Sequence, residues 1–371
     1  MAKAFGIITA ASNRYVIEGM QEYRPISSFS FAGRFRLVDF PISNMSNSGI
    51  DHIQVYISGN PRSLVEHLGT GRNYNINSKR GKLQLLFHDE GNINRLYNTD
   101  IAAFMDSISI IERMHEDYVI ITSSNMVYVE NYNALLEQHI KSEADVTLLY
   151  HRVENADEAY RGCNCLILNR QKGVQTIEMN MGNTKDSNVF MDTYVMKKDL
   201  FVQLIRKAAS TSSMYHLSRI VSESCNELDV RGVQHKGFYA AITDLKSYYD
   251  SNLELLNPEE ARSLFDPKWQ IYTQTTDSCP TEYFEGGSAR NSLISNGCSI
   301  EGTVENCVLG RGVKIGKGAV VKNSVILAYA TIGEDVVIEN QVVDKWAKII
   351  HAKEVVADAE HPGYVRRDDI L

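Results

Sequence analysis

The chain has 371 residues, room for two or three domains at about 150 residues each. Hydrophobic residues make up 43% and charged residues 23%, which excludes a disordered chain, and the net charge of −8 argues against a nucleic-acid-binding surface. Six cysteines in this length exclude a disulfide scaffold, and no run approaches the ~18 apolar residues of a membrane span, so no membrane association is expected.

The opening text MAKAFGIITAAS holds one short apolar run. It predicts a buried strand at Ala4–Thr9 rather than a secretory segment, so a cytoplasmic protein with reduced thiols is expected. Similar runs predict strands at Ile53–Ile57, Tyr118–Thr122 and Val146–Tyr150, with helices at Ile101–Met114 and Asn131–Lys141 between them. Strand, helix, strand at this spacing implies βαβ units and a mostly parallel sheet covered on both faces. In VDFPISNMSNSGI, Asp39 is placed to cap a short helix with Pro41 in its first turn, and Gly49 to end it. Cys163 and Cys165 lie in a strand-like run, CNCLIL, and read as a buried pair. His88 and His115 stand alone without metal-ligand spacing.

Past about residue 290 the grammar changes. Nine of the 24 glycines lie from Gly286 to Gly333. Small or β-branched residues recur every six positions, as Val313, Ala319, Val325 and as Ile315, Val321, Leu327, and after a one-residue slip at Ile332 and Ile338. That period predicts a β-helix in which each hexapeptide is one side of a triangular coil. Small residues are needed because the corners cannot hold bulky side chains. Gly316-Lys317-Gly318 looks like the end of a phosphate loop, but Arg311 stands where the earlier glycine is required and no Ser or Thr follows Lys317, so it reads as a corner. Residues 257–290, with Pro258, Pro267 and Pro280, read as a linker.

Three stretches narrow the reading: FAGRFRLVDFPISNMSNSGI at Phe31–Ile50, SLVEHLGTGRNYN at Ser63–Asn75 and NCVLGRGVKIGKGAVVKNSVI at Asn306–Ile326. They resemble the ADP-glucose pyrophosphorylases (glucose-1-phosphate adenylyltransferases), and the resemblance runs from about Lys3 to about Lys345. It implies an α/β fold: a Rossmann-like, GT-A-like nucleotidyltransferase domain with a mixed sheet over residues 1–256, a linker over 257–290, and a left-handed parallel β-helix of hexapeptide repeats over 291–371. It also implies a reaction, ATP plus glucose 1-phosphate giving ADP-glucose and diphosphate. Such chemistry needs a Gly-rich loop whose N–H groups approach the triphosphate, cations on the phosphates, and carboxylates on Mg²⁺.

The matching positions depart from that pattern one by one. The loop of type AGGxGxR reads Ala10-Ala11-Ser12-Asn13-Arg14, so Ala11 and Ser12 place Cβ atoms where glycines permit close approach. The lysine of the RAKPAVPFGG block is Ile26. The first metal aspartate, in the strand ending of type SGDH, is Asn125. The lysine of the EEKP motif is Asn180, and the second metal aspartate is Ala241, with Asp244 three residues on. Each preorganised group of this kind is worth about 10²–10³ in rate. The set of losses resembles the non-catalytic GlgD-type regulatory subunits of the family. That resemblance implies no cofactor for this chain, with Mg²⁺ only in a catalytic glucose-1-phosphate adenylyltransferase partner, and a heterotetramer in bacterial glycogen biosynthesis. It also implies a sugar-phosphate effector, with Arg24, Arg34 and Arg36 as candidate anion ligands. Two other readings stand beside it: an active enzyme with relocated metal ligands such as Glu130 and Asp244, and a scaffold or sugar-nucleotide sensor outside glycogen metabolism.

Overall fold

A computed structural model describes residues 3–12, 14–17, 19–77, 79, 81–87 and 98–371. His88 and Asn13 lie outside the described residues. Nine strands form one sheet: β1 (Ala4–Thr9), β2 (His52–Ile57), β3 (Lys82–Phe87), β4 (Tyr118–Ser123), β5 (Val146–Val153), β6 (Asn164–Leu168), β7 (Val174–Met179), β8 (Ser187–Lys197) and β9 (Val230–Gln234). Their order is β7-β6-β8-β4-β1-β2-β3, with β5 pairing both β8 and β9. β1 runs parallel to β2 and to β4, with Ile7 opposite Gln54 on one side and Ile121 on the other. Its residues Ala4–Ile8 are all buried, as an apolar strand covered on both faces must be. β8 is antiparallel to β4 and β5, so the sheet is mixed.

The expected helix over Ile101–Met114 is two helices, Asp100–Asp106 and Ile108–Glu112. Ser107 divides them, its N–H turning back to the Phe104 carbonyl in a tight i−3 bond. The helix Tyr132–Ser142 forms as expected, and Asn131 caps it by accepting from the Ala134 N–H. Asp39 is not a cap. It is the first residue of the helix Asp39–Asn47, and its buried carboxylate takes bonds from the Arg36 N–H, His67 and the Tyr74 hydroxyl. Gly49, at φ 74°, turns the chain beyond that helix.

The C-terminal strands stack into three parallel five-stranded sheets, the faces of a hexapeptide-repeat β-helix. Successive coils from Lys314 are offset by 17 residues, as in Lys314↔Thr331 and Thr331↔Lys348. The inward residues explain that number. Ile315, Val321, Ile326, Ile332, Ile338, Val343 and Ile349 share one core, so each coil has two six-residue sides and one five-residue side. The slip therefore falls before Ile326, not after Leu327. Because side chains alternate along a strand, this one-residue shift turns Val325 and Leu327 outward. They pack with Val308 and Val342 against Phe29, Phe31 and Tyr248, in the core that joins the β-helix to the α/β unit.

The stretch read as a linker carries structure. Pro258–Leu264 is a helix capped by Asn257, and Glu282–Tyr283 and Ser288–Arg290 already pair with the coil above.

Candidate functional site

β1 runs into Ala10-Ala11-Ser12, which lines a cavity of about 390 Å³ at the carboxyl ends of the parallel strands. This is where open α/β sheets place ligands. Tyr56, Phe104, Ile121 and Tyr194 contribute its apolar wall, and Ser12, Ser58, Thr99 and Asn164 its polar one. Among the described lining residues Arg14 is the one Lys or Arg. Two carboxylates, Asp100 and Asp192, share the cavity with it. Asp100 accepts the Leu217 N–H and lies 3.1 Å from His216 Nδ1. Burial pulls the His216 pKa down, but the bond and charge of Asp100 outweigh it and the imidazole ends up raised. Asp192 sits where the β8–β5 register breaks between Phe190 and Thr193, a β-bulge, with φ at 42°. Burial pushes its carboxyl up to about 6, against the pull of Arg14. Sequence reading missed Asp100, Asp192 and His216, because only the closure of distant loops brings them together.

Asn125 and Ala241, the positions the resemblance matches to metal aspartates, are neighbours. Ala241 stands opposite Met126 in a two-stranded pair, and the Ile242 N–H donates to the Asn125 carbonyl at 2.9 Å. Their side chains do not suit a cation. Asn125 Oδ1 accepts from the Ser123 hydroxyl at 2.6 Å, and its Nδ2 donates to the Ile242 carbonyl at 3.1 Å. The Ala241 methyl is packed in the hydrophobic core. Among the described residues no three His, Cys, Asp or Glu side chains gather as a metal site. The donor set does not fit Mg²⁺. Asn180 is spent on a turn, donating to the carbonyls of Ala156 and Tyr160 and accepting the Gly182 N–H. Ile26 is buried between the two units. Glu130 is held by His235 Nδ1 at 2.8 Å, and Asp244 caps the helix Leu245–Glu254. Cys163 and Cys165 are both buried, with free thiols.

The three arginines separate. Arg24 is buried at the boundary with the β-helix, where Nη2 reaches both oxygens of Asp344 at 2.6 Å. Its Nε and Nη1 are buried without a partner. Arg36 donates to the Ser28 hydroxyl and the Ser63 carbonyl, and burial lowers its pKa against the pull of Asp39. Lys345 joins this pair from the β-helix. Burial first, then Arg36 and Arg24, hold its ammonium down to about 7, with Arg367 adding to the effect and Asp344 opposing it. Arg34 lies elsewhere. It lines a second cavity of about 450 Å³ with Arg311, at the tip of the antiparallel hairpin of Ser30–Phe31 with Phe35–Arg36, which meets the coil at Gly33. Sequence reading missed Lys345 and Arg367. The signal was present at Asp344, a charged residue 17 positions, one coil, after the apolar Leu327.

A mixed sheet with a loop-lined cavity at its strand ends, docked on a hexapeptide coil, defines a protein of the nucleotidyltransferase fold class. Residues 24–257 match the nucleotidyl transferase family and residues 279–364 the GlmU-like C-terminal hexapeptide family. Over 86% of its length the chain is 31% identical to the glycogen biosynthesis protein GlgD of Geobacillus stearothermophilus, of which 83% is covered. It is 28% identical to GlgD of Bacillus subtilis over 98% of this chain and 95% of that one. It is also 28% identical to the glucose-1-phosphate adenylyltransferase of Fervidobacterium nodosum, over 88% of this chain and 79% of that one. The chain belongs to the ADP-glucose pyrophosphorylase family. Among the described residues no helix is long and apolar enough to cross a membrane.

Proposed function

We propose that this chain is a catalytically silent, regulatory subunit of glucose-1-phosphate adenylyltransferase in bacterial glycogen biosynthesis, activating a catalytic paralogue within a hetero-oligomer. The observation that carries the reading is the pair Asn125 and Ala241: adjacent, uncharged, and already committed to hydrogen bonds or to the core. Nucleotidyl transfer needs negative charge there to hold the metal that bridges the reacting oxygens. The similarity to GlgD proteins supports the same reading. An active enzyme that had moved its ligands to Glu130 and Asp244 is disfavoured, since one is paired with His235 and the other caps a helix.

The cations at the domain boundary support binding of an anionic effector such as a sugar phosphate. Arg24, Arg36 and Arg367 lie near enough to Lys345 to lower its pKa against the single opposing carboxylate of Asp344, and two Arg24 nitrogens are buried without acceptors. Arg34 is assigned no part in that site. An effector that binds more tightly to one state of the assembly shifts the partner toward that state by its differential affinity. The test is a turnover assay with ATP, glucose 1-phosphate and Mg²⁺. The chain alone should make no ADP-glucose, and adding it to the catalytic paralogue should change that enzyme's turnover with co-elution of the two. Robust synthesis by the lone chain overturns the reading, and neither effect nor co-elution leaves a scaffold.

A further inference from the structure

We propose that the stacked rings of Tyr329 and Trp346, at one corner of the β-helix, anchor this chain to its catalytic paralogue, and that the paralogue meets them with an acidic surface. This rests on the regulatory reading and adds to it the place and the chemistry of the contact.

Tyr329 and Trp346 stand one coil apart at equivalent corners, with φ at 64° and 67°. Left-handed positions elsewhere in the coil, at Asn306, Asn323, Asn340 and Asp335, hold the short polar residues that accept such backbone. A bulky ring there is strained, and strain of this kind persists where the surrounding structure imposes it, often at binding sites. Gly312 occupies the same corner one coil earlier, and a Cβ on it would stand 2.7 Å from the Tyr329 ring. The glycine makes room for the aromatic column.

The rings serve no interior. The coil's core is filled by residues such as Ile315, Ile332 and Ile349, without either aromatic. The two stack with centroids 4.4 Å apart at 16°, yet they stay 43% and 46% exposed. Stacking covers one face of each, and Gly312 lies against Tyr329. The pair therefore presents edges more than faces, a ridge suited to a gap between side chains rather than a platform for a sugar or a base. Trp and Tyr are enriched among the few residues that carry most of the energy at protein interfaces.

Charge selects the partner. Lys314 and Lys348 lie two residues beyond the column's corners and are exposed. Arg311, just before Gly312, donates only to neutral groups, the Thr276 hydroxyl and the Gln274 carbonyl. Asp344 is buried on Arg24, and Asp368 is paired with Arg367 at 3.2 Å. Asp369, whose carbonyl accepts the Lys348 N–H, adds one negative charge against those three cations. The ridge is thus edged with positive charge on a chain of net charge −8. A second copy docked by two-fold symmetry would set this rim against itself. A different chain, with carboxylates around an apolar gap, complements it. Lys345 directly precedes Trp346, so the cations of the domain boundary adjoin the ridge in sequence.

The experiment measures binding of the full chain to the catalytic paralogue by gel filtration and biolayer interferometry. Tyr329→Asn with Trp346→Asn removes both rings and places at each corner a residue that tolerates left-handed backbone, with circular dichroism to check the fold. Affinity should fall at least about 30-fold. Lys314→Glu with Lys348→Glu keeps the rings. It should slow association and flatten the salt dependence that the wild-type chain shows between about 50 and 300 mM NaCl. Should the asparagine variant fold poorly, the charge variant decides alone. If the wild-type chain co-elutes and either folded variant binds within about 3-fold of it, this proposal is overturned while the regulatory reading stands. Self-association of the lone chain that the ring variant abolishes, read by light scattering, would show a second copy on the ridge and overturn it too. No binding by the wild-type chain would sink the proposal and the regulatory reading together.

Discussion

Arg24 donates from a single nitrogen to both carboxylate oxygens of Asp344, 2.6 Å from each, and the two side chains join units 320 residues apart in the chain. Both residues are buried, Arg24 at 2% and Asp344 at 0% exposure, and the Tyr364 hydroxyl donates to the same carboxylate at 2.7 Å. Asp344→Ala would leave a buried guanidinium without a counter-charge. It should cost about 3–5 kcal/mol in urea unfolding, while the double change Arg24→Met with Asp344→Leu should recover most of it. A loss below about 1 kcal/mol in the single variant would show that the pair does not hold the units together.

Restoring charge at the metal positions should not restore chemistry. Asn125→Asp with Ala241→Asp still lacks the glycine loop at Ala11 and Ser12 and both lysines, at Ile26 and Asn180. Each missing preorganised group costs about 10²–10³ in rate, so ADP-glucose formation should stay undetectable in a coupled assay. Circular dichroism checks that the aspartate placed in the core at 241 is tolerated. Measurable turnover by a folded double variant would mean that the loop is not limiting.

Lys345 should make anion binding depend on pH. Its folded pKa of about 7 lies below the ordinary lysine value of ~10.4. Between those values the unfolded chain holds the extra proton, so this group makes stability rise with pH from about 7 to about 10, and its cost is fully present below 7. A bound anion favours the protonated form. Sulfate, whose own charge is constant in this range, should raise the melting temperature more at about pH 6.5 than at about pH 8.5, against the background of Arg24, Arg36, Arg367 and Asp344. Lys345→Met should flatten that difference. An equal sulfate effect at both pH values would exclude Lys345 from the site.

The corners of the coil test the steric rule directly. A Cβ on Gly302 would stand 2.4 Å from the Ala319 carbonyl oxygen and 2.8 Å from that of Gly316. Those contacts are backbone, so no side chain can swing aside. Gly302→Ala should destabilise the β-helix by about 1–3 kcal/mol, read as a lowered unfolding midpoint. At Gly49 and Gly59 a Cβ would meet nothing within 4 Å, so there only the left-handed backbone would be penalised.

Local rules made much of this molecule readable. Apolar runs marked Ala4–Thr9 and Tyr118–Thr122 as strands because burial on both faces demands continuous hydrocarbon. The six-residue period marked the coil because corner sterics act on every repeat, and the family resemblance put the uncharged Asn125 and Ala241 at positions where it implies metal aspartates. Face and company were decided only in three dimensions. The place of the one-residue slip, which the periodic pattern put after Leu327, sends Ile326 into the coil and Val325 toward Phe29 and Tyr248. Arg24, Arg34 and Arg36 are close in sequence, yet packing sends Arg34 to Arg311 and the other two to Lys345. Asp192 and Arg14 line one cavity although nearly half the chain separates them, and such placements are set by the packing of whole elements, which no local pattern records.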